Sequence, residues 1–368
     1  MTSPGPAIAD QTVRGRRFEV RASTAGPSLG EVALAAGGAI VPAAHRSRWA
    51  ELMDHDGLVV DVWDVDSEKC ACSLIVDIGR TRTLPGHKLW RVDRLGGYPD
   101  VDAIEASIRA LHGLVVMRAS VLRLSLGIFE PNSDARSRLA DVCQSLGFRK
   151  EPFARSYERT LRIDLSGSED EILQQMRASG RRHVRNREKG ELEVRLIDDP
   201  ALAPRIDELA YRAMNRTGGN HRKVDWVAVM KYCLDVPDVA RLTGLFSPSL
   251  DKPLVGFALG LREGDHVEYN TAGSSRGQVK AAIGYGPAWD LISWARRTGA
   301  AWFDFGGIPA EDAPPSSVSG IARFKRNFGG APIEVREEWA FEPSPFKASV
   351  SRGISESARV IGELTRRR

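Results

Sequence analysis

Four residues in the last quarter of the chain have types and a spacing that could bind and orient the charged groups of a reaction. Asp304, Gly306 and Gly307 end a hydrophobic stretch, and Lys325 follows between two phenylalanines. Glycines let a backbone approach a ligand closely, and a lysine cation could bind a phosphate or stabilise a developing oxyanion. Asp304 could orient an ammonium group or hold Lys325. The alternatives are a structural salt bridge for the acid and a bend that serves only the fold for the glycines.

A second group of residues is expected to bind substrate beside them. Arg216 ends a helical segment, and its planar guanidinium suits a phosphate or a carboxylate, although it could equally cap the helix C-terminus. Tyr269, Asn270 and Tyr285 are expected to flank a cleft in the second half of the chain, unless they are core-edge aromatics with one polar partner. Arg326 is assigned to the same substrate-binding group.

A run of basic residues precedes this region, in a segment with a helical pattern. It contains Arg177, Arg181, Arg182, Arg185, Arg187 and Lys189. A spacing of four would place the first, second and fourth of them on one helix face, as a stripe that could follow a nucleic-acid backbone. We assign Arg181, Arg182, Arg185 and Lys189 to this contact. The alternative is a solvated helix face.

The elements that must position these residues form two similar groups along the chain. The first half contains predicted strands at 57–65, 70–79, 89–95 and 121–128 and predicted helices at 102–119 and 133–146. In the second half, strands at 254–262, 265–273 and 301–305 alternate with helices at 284–298 and 317–328. Gly127 aligns with Gly307 at an offset of 180 residues, and Leu111 aligns with Leu291 at the same offset. The pattern indicates an internal duplication of one α/β (α+β) unit, each a mixed sheet flanked by helices.

Domain boundaries follow from the same patterns. A Pro/Gly/Ser-rich start predicts a disordered tail over 1–17. The first unit is expected over 18–157 and the second over 158–345, with a capping box at Ser168 and Glu171 opening a long helix that continues through the basic run. The segment 346–368 is expected to form a helix or tail that packs on the first unit.

Composition limits the class of protein. The 368 residues are 42% hydrophobic and 27% charged, with a net charge of +4, which is only mildly basic. No apolar run reaches membrane-spanning length, and no signal-peptide pattern is present, so membrane insertion is not expected. Four cysteines without a zinc-ligand pattern indicate free thiols in the cytoplasm and no metal site. We expect a monomer.

Several motifs resemble those of the FemABX aminoacyltransferases. The stretch RRHVRNREKG at 181–190 is similar to the family segment R-R-N-I-R-K-A-x-K-x-G, and the helix ending at Arg216 is similar to its T-x-x-R helix end. DFGGIP at 304–309, followed by FKRNFGG at 324–330, is its most specific C-terminal signature. The resemblance is continuous over about 160–340 and diffuse in the first half.

The resemblance implies a fold and an activity. The family is similar to two fused GNAT-type N-acyltransferase domains, so we expect two tandem GNAT-like domains, the first a degenerate copy. Its members transfer an amino acid from aminoacyl-tRNA to an amine on a muropeptide or a small peptide or amine metabolite, without a cofactor. The resemblance gives Lys325 the role of the lysine in the Phe-Lys motif, and it makes tRNA the partner of the basic run.

Two departures and two alternatives accompany this expectation. No lysine follows Trp49, which argues against a phosphorylated acceptor, and the span 217–231 is too short for the helical arm of larger members. An acyl-CoA-dependent N-acyltransferase is the first alternative; Gly284 and Gly286 fit its Gly-rich loop, but Ala281 stands where a basic residue or Gln is common. A non-catalytic binding module is the second.

Overall fold

The computed structural model describes residues 5–24, 28–55, 57–152, 157–187, 191–217, 223–275, 277, 279, 282–309 and 319–366. The chain divides into two compact units, of which the first comprises 1–155 and 335–368 and the second 156–334. Each unit contains one sheet and the helices that cover it. None of the helices within the described ranges combines the length and apolar content needed to cross a membrane.

The strands along the chain are β1 (Ala7–Val13), β2 (Arg16–Thr24), β3 (Gly57–Asp64), β4 (Lys69–Arg80), β5 (Lys88–Leu95), β6 (Val121–Phe129), β7 (Arg149–Lys150), β8 (Arg159–Asp164), β9 (Glu193–Leu196), β10 (Ala240–Phe246), β11 (Leu254–Glu263), β12 (His266–Ser274), β13 (Trp302–Gly307), β14 (Ala331–Glu334) and β15 (Arg336–Phe341). The helices are α1 (Leu29–Ala36), α2 (Ser47–Leu52), α3 (Val101–Val116), α4 (Ser133–Ser145), α5 (Glu169–Gln175), α6 (Ala178–Arg185), α7 (Ala203–Thr217), α8 (Trp226–Asp235), α9 (Tyr285–Arg297), α10 (Ser319–Arg326) and α11 (Pro345–Arg366).

The two sheets correspond at seven strand positions, and the first sheet has one additional edge strand, β1. The first has the order β1-β2-β3-β4-β5-β6-β15-β7, and the second has the order β14-β8-β13-β12-β11-β10-β9. The β5–β6 pair is parallel and joined through α3, and the β12–β13 pair is parallel and joined through α9, whereas the other neighbouring strands are antiparallel. Two mixed α/β units of the same order confirm the predicted fold class.

The predicted domain boundaries differ from the structure because one strand of the first sheet comes from the chain after the second unit. The strand beside β6 is β15, which follows the second unit in the chain, and the strand beside β13 is β8, which precedes most of that unit. The second unit therefore ends at 334 and not at 345. Sequence periodicity identifies a strand but not its neighbour, so this exchange was not visible in the chain.

The prediction of a disordered tail over 1–17 is wrong for most of that range. Ala7–Val13 and Arg16–Thr24 form an antiparallel hairpin, with Val13 and Phe18 buried in the first core. The turn between them contains Arg14 and Gly15, both at positive φ. The backbone hydrogen bonds of this hairpin and its buried residues outweigh the polar composition that suggested disorder.

The predicted long helix through the basic run is divided into α5 and α6. The capping box forms as expected, with Ser168 and Glu171 bonded reciprocally. Met176 and Arg177 are extended, with ψ of 152° and 150°. The turn after α10 packs against this break, because the Arg177 N–H donates to the Asn327 carbonyl at 3.1 Å. A tertiary contact thus ends a helix that local propensity would continue.

Candidate functional site

The parallel strands at the centre of the second sheet separate along part of their length. The β12–β13 ladder runs only from the His266–Trp302 pair to the Glu268–Asp304 pair, while β12 continues to Ser274. In the first sheet the corresponding β5–β6 pairing reaches Leu95 and Ile128, where β5 ends. Separated strands leave room for a ligand beside their backbones. This opening is therefore a feature of the second unit.

A cavity of about 590 Å³ is lined by the part of β12 that extends beyond its pairing with β13. Its walls come from α7, β11, β12, the loop before α9, and α10. It is lined by Ala213, Met214, Arg216, Phe257, Tyr269, Asn270, Ala272, Gly273, Ser274, Gly277, Ala282, Ile283, Gly284, Tyr285, Gly320, Ile321, Phe324 and Lys325. A mainly apolar surface with a few polar groups is typical of a small-molecule site. We call it the main cavity.

Lys325 is the polar group most strongly fixed in this cavity. The residue is 9% exposed, and its Nζ donates to the Gly307 carbonyl at 2.7 Å. Burial lowers the pKa of Lys325 to about 8, against the opposing attraction of the Asp304 and Glu268 carboxylates. The lysine is therefore still mainly protonated at neutral pH. It presents a partly desolvated cation to the cavity, where an ion acts more strongly than in water.

Aromatic rings form the wall around the lysine. The Tyr285 ring stacks on Phe328 with centroids 5.2 Å apart and meets Phe324 edge-on at 5.0 Å. Asn327 Nδ2 donates to the Tyr285 hydroxyl at 2.7 Å. The Tyr269 ring packs on Phe305 at 5.4 Å, and burial raises the pKa of the Tyr269 hydroxyl, which keeps it neutral. These contacts hold the wall rigid.

Arg216 and Asn270 lie at the exposed part of the cavity. Both residues line it and both are classed as exposed, Arg216 in the last turn of α7 and Asn270 in β12. The Thr271 hydroxyl donates to Asn270 Oδ1 at 2.9 Å. The structure thus brings Lys325, Arg216, Tyr269, Asn270 and Tyr285 together around one cavity, as the sequence analysis expected of them.

Asp304, predicted as a catalytic residue that orients an incoming ammonium group or holds Lys325, does not line the cavity, so the first of these roles does not fit the structure. The residue is fully buried, and its carboxylate accepts hydrogen bonds from the Thr160 hydroxyl, from Arg162 Nε at 3.2 Å and from the Gly306 N–H at 2.7 Å. With these three donors, Asp304 forms the structural salt bridge that the sequence left as its alternative. Its charge still reaches Lys325 through the protein interior.

Gly306 and Gly307 also have a role other than the one expected. A Cβ added to Gly307 would lie 2.6 Å from the Cβ of Tyr157, and one added to Gly306 would lie 3.5 Å from the Tyr157 ring. Gly306 additionally has φ of +69°, in the region that favours glycine. Gly307 therefore makes room for a tyrosine of the same unit, Gly306 permits the backbone conformation, and neither residue lines the main cavity.

Arg326 is likewise turned away from the site. Its Nη2 donates to the Pro309 carbonyl at 3.2 Å, and the residue is not among those that line the main cavity. The hydrogen bond to Pro309 therefore holds the Arg326 side chain outside the main cavity. This corrects the assignment of Arg326 to substrate binding.

A second cavity, of about 500 Å³, lies on the other side of the first residues of α9. It is lined by Arg182, His183, Asn186, Arg187, Glu191, Leu192, Leu245, Ser247, Ser249, Val279, Ala282 and Gly286. Ala282 lines both cavities, and Gly284 and Gly286 line one each. We call this the basic cavity, because two arginines from the α6 segment contribute to it.

The basic run divides into residues with different environments. Arg181 Nη1 donates to the Gln174 and Met176 carbonyls at 2.8 and 2.5 Å, so it caps the end of α5. Arg182 lines the basic cavity, and Arg185 is exposed. Lys189 lies outside the described residues. The helix break also places Arg177 at the N-cap of α6, so the predicted stripe of three arginines on one continuous helix does not form.

Helices α3 and α9 occupy equivalent positions in the two units. A carboxylate side chain caps the N-terminus of α3, and no side chain among the described residues caps that of α9. The Asp100 carboxylate caps α3 by accepting from the Asp102 and Ala103 N–H groups at 3.1 and 3.2 Å. Gly284 caps α9 without any side-chain hydrogen bond. A carboxylate occupies the anion-binding position of the first helix. In the described residues, only the second helix leaves that end open to cavities.

Sequence reasoning missed several residues of both cavities. Met214, Ile283 and Ile321 line the main cavity, and His183 and Arg187 line the basic one. The apolar residues have no chemical signature, because isolated aliphatic side chains are ordinarily core. His183 lies within the basic run, and that position was the available signal.

Comparisons with known proteins support the fold. No protein-family model and no curated protein sequence matches the chain. Among solved structures, FemX is similar with a TM-score of 0.66 at 16% identity, over 81% of this chain and 91% of FemX. L-PGS from Bacillus licheniformis is similar with a TM-score of 0.51 at 14% identity, over 92% of this chain and 97% of that protein.

A tandem GNAT protein from the clavulanic acid biosynthesis pathway is a weaker match, with a TM-score of 0.48 at 13% identity over 89% of this chain and 99% of that one. At such identities a structural likeness establishes a fold and not a reaction. Taken with the seven strand positions that the two sheets have in common, the similarity to FemX shows that the chain has a FemABX-like tandem GNAT fold.

Proposed function

We propose that the protein is an aminoacyltransferase that moves an amino acid from aminoacyl-tRNA to an amine acceptor and forms an amide bond. The observation that carries this proposal is the Lys325 ammonium, held by the Gly307 carbonyl at the wall of a cavity where β12 and β13 separate. The fold is compatible with acyl transfer in general. The buried ammonium in the cavity is what favours transfer from an aminoacyl ester in particular.

The reaction requires little from the protein beyond positioning and charge. An aminoacyl ester is already activated, so a neutral amine can attack its carbonyl carbon directly. The attack forms a tetrahedral oxyanion; the ester oxygen of the terminal ribose then leaves as a hydroxyl, taking up the proton that the attacking nitrogen loses. Neither a metal nor another cofactor is needed for these steps.

Lys325 is suited to the charged intermediate. Its ammonium has one hydrogen bond to Gly307 and further N–H groups that can point into the cavity. A preorganised donor in a partly desolvated site stabilises an oxyanion more than water does. The aromatic wall formed by Tyr269, Tyr285 and Phe324 limits the water around it.

The basic cavity suits the phosphate-bearing end of the donor. It is separated from the main cavity only by the residues that begin α9, so an RNA end in one cavity could place its ester in the other. Arg182 supplies a cation there, and the uncapped start of α9 adds a partial positive charge. The exposed Arg185 and the sequence position of Lys189 extend the basic character of this side.

The acceptor is expected to use the exposed part of the main cavity. Arg216 can bind a carboxylate or phosphate of the acceptor, and Asn270 can accept or donate a hydrogen bond beside it. Tyr285 and Tyr269 offer an apolar surface to the rest of the molecule. A muropeptide and a small peptide or amine metabolite both fit this description, and with a tRNA donor the reaction belongs in the cytoplasm.

The start of α9 has a partial positive charge but few available backbone N–H groups, which makes acyl-CoA the second candidate donor. GNAT enzymes hold the CoA pyrophosphate with several backbone N–H groups at this helix. In the described residues, the Tyr285 N–H donates to the Ala282 carbonyl at 3.2 Å, and Pro287 has no N–H to offer. An acyl-CoA arm nevertheless belongs in the test, because it addresses the other chemistry of this fold.

The test is transfer from a mixed pool of radiolabelled aminoacyl-tRNA to a panel of amino acids, dipeptides and amine-bearing muropeptides. We expect label in an alkali-stable amide with the wild-type protein and at least a hundredfold less with Lys325→Ala. Lys231→Ala is the matched control, because Lys231 is an exposed lysine on α8 that pairs with Asp235. Transfer from acetyl-CoA, and none from aminoacyl-tRNA to any acceptor, would overturn the proposal.

A further inference from the structure

Tyr157 occupies the space that the absent side chain of Gly307 leaves open. The contact is close enough that a Cβ on Gly307 would overlap the tyrosine, at 2.6 Å from its Cβ and 3.0 Å from its Cγ. Gly307 does not have a positive φ, so its need for glycine comes from this contact and not from backbone conformation. The ring and the glycine peptide therefore fix each other.

The other end of the ring is also held. The Tyr157 hydroxyl donates to Glu268 Oε1 at 3.2 Å. Glu268 is 5% exposed on β12, where it pairs in register with Asp304 of β13, at the last pair before the strands separate. A buried carboxylate thus anchors the tyrosine at the point where the main cavity begins.

The peptide beneath the ring is the one that binds Lys325. The Gly307 carbonyl accepts from Lys325 Nζ at 2.7 Å. A continuous set of contacts therefore runs from Glu268 through Tyr157 and Gly307 to the ammonium. Neither Glu268 nor Tyr157 is among the residues that line the main cavity.

The charged groups around Lys325 come from every neighbouring element. Asp304 of β13 and Glu268 of β12 attract its charge. Arg162 of β8 is paired with Asp304, Arg216 of α7 lines the same cavity, and Arg326 of α10 is bonded to the Pro309 carbonyl. The two carboxylates favour the ammonium, and the loss of solvent disfavours it.

We propose that Tyr157 and Glu268 are positioning residues that hold the Gly307 carbonyl, and through it the Lys325 ammonium, at the cavity wall. This role in acyl transfer rests on the proposed function. The ring excludes water from the Gly307–Lys325 bond, while the carboxylate both anchors the ring and supplies negative charge. Removing the carboxylate should therefore favour the neutral amine of Lys325, whereas removing the ring should favour its ammonium form.

The test measures the protonation of Lys325 without relying on activity. The full-length protein is acetylated briefly with acetic anhydride at a series of pH values, and modification of Lys325 is read by mass spectrometry. Only the neutral amine reacts, so the midpoint reports the pKa. Glu268→Gln should move the midpoint to lower pH, because a negative charge is lost, and Tyr157→Ala should move it to higher pH, because water reaches the ammonium.

Two further variants control this measurement. Tyr157→Phe keeps the ring but removes the hydroxyl that bonds Glu268, so its midpoint should lie between those of the wild type and Tyr157→Ala. Tyr211→Phe changes an exposed tyrosine of α7 that lines neither cavity and should retain the wild-type midpoint. Circular dichroism melting verifies that each variant is folded. If Tyr157→Ala does not fold, the isosteric Glu268→Gln still decides the matter.

The outcomes separate this inference from the proposed function. In transfer assays, Tyr157→Ala and Glu268→Gln should each lower kcat about tenfold and leave the KM of the acceptor unchanged. Wild-type midpoints in both variants would overturn the positioning role. Shifted midpoints in a protein that transfers nothing from aminoacyl-tRNA would retain the role of Tyr157 and Glu268 and reject the reaction.

Discussion

Asp304 and Arg162 are cross-strand partners at the centre of the second sheet, with Asp304 Oδ2 3.2 Å from Arg162 Nε and both side chains almost completely buried. Their pairing places a fixed negative charge behind the wall that carries Lys325. The salt bridge also gives the aspartate of the DFGG motif a structural role that requires no contact with a substrate.

Breaking this pair should be costly. We expect Asp304→Asn to lower the free energy of unfolding by about 3–5 kcal/mol, because Arg162 would remain buried with no compensating charge. Asp290→Asn is the matched control, since the Asp290–Arg241 pair is partly exposed and should contribute less than about 1 kcal/mol. Urea unfolding measures both. Equal losses in the two variants would contradict the buried-pair account.

Lys325→Met should separate activity from stability. Methionine keeps the apolar stem but removes the charge, so transfer should fall by about 100- to 1,000-fold. The same change removes a desolvated cation, and the free energy of unfolding at pH 7 should rise by roughly 1 kcal/mol. Transfer kinetics and urea unfolding on one preparation provide the two readouts. A variant that loses both stability and activity would indicate a purely structural lysine.

The stability of the protein should depend on pH through the same residue. The pKa of Lys325 is lowered in the folded state to about 8, from 10.5. Between these values the unfolded state binds more protons, so stability should rise as the pH increases from 8 towards 10.5, by a total on the order of 3 kcal/mol. Other groups titrate here too, and the difference between wild type and Lys325→Met isolates the contribution of the lysine. A constant difference over this range would refute the lowered pKa.

Arg182 and Arg181, although adjacent, should respond differently to substitution. Arg182→Ala should weaken tRNA binding and reduce the slope of log affinity against log salt by about 0.7, the value for one lost phosphate contact on a single strand. Arg181→Ala should leave that slope unchanged and lower the free energy of unfolding by about 1 kcal/mol, because the α5 carbonyls lose their donor. Filter binding at several salt concentrations, with thermal melts, distinguishes the two. Identical slopes for wild type and Arg182→Ala would remove the basic cavity from the donor site.

Much of the fold could be read from the chain because its signals are local. The helix at 133–146 and the strand at 121–128 agree with α4 and β6 to within one residue, and the Ser168–Glu171 capping box forms as expected. Hydrophobic period, caps and terminating glycines act within a few residues, so a single sequence contains them. The repeat at an offset of 180 residues reflects two sheets of the same order.

The site could be predicted only in part. The motifs indicated Lys325 and Arg216, the predicted cleft indicated Tyr285, and the structure brings these three residues to one cavity. The expectations that Asp304 orients an incoming ammonium group and that Gly306 and Gly307 bind substrate do not fit the geometry. Thr160, Arg162 and Tyr157, more than 140 residues earlier in the chain, lie around these three residues instead. Contacts at such separation have no signature in the local pattern.

The sequence by itself determined the two α/β units, the aromatic and basic residue types of the second one, and the glycines that close approach requires. Tertiary structure alone decided that β12 and β13 separate, that β8 and β15 complete the sheets, and that Tyr157 rather than a ligand fills the space at the glycines. The physical reason is that side-chain type and period are properties of neighbouring residues, whereas desolvation, charge pairing and open volume arise only when distant segments pack together.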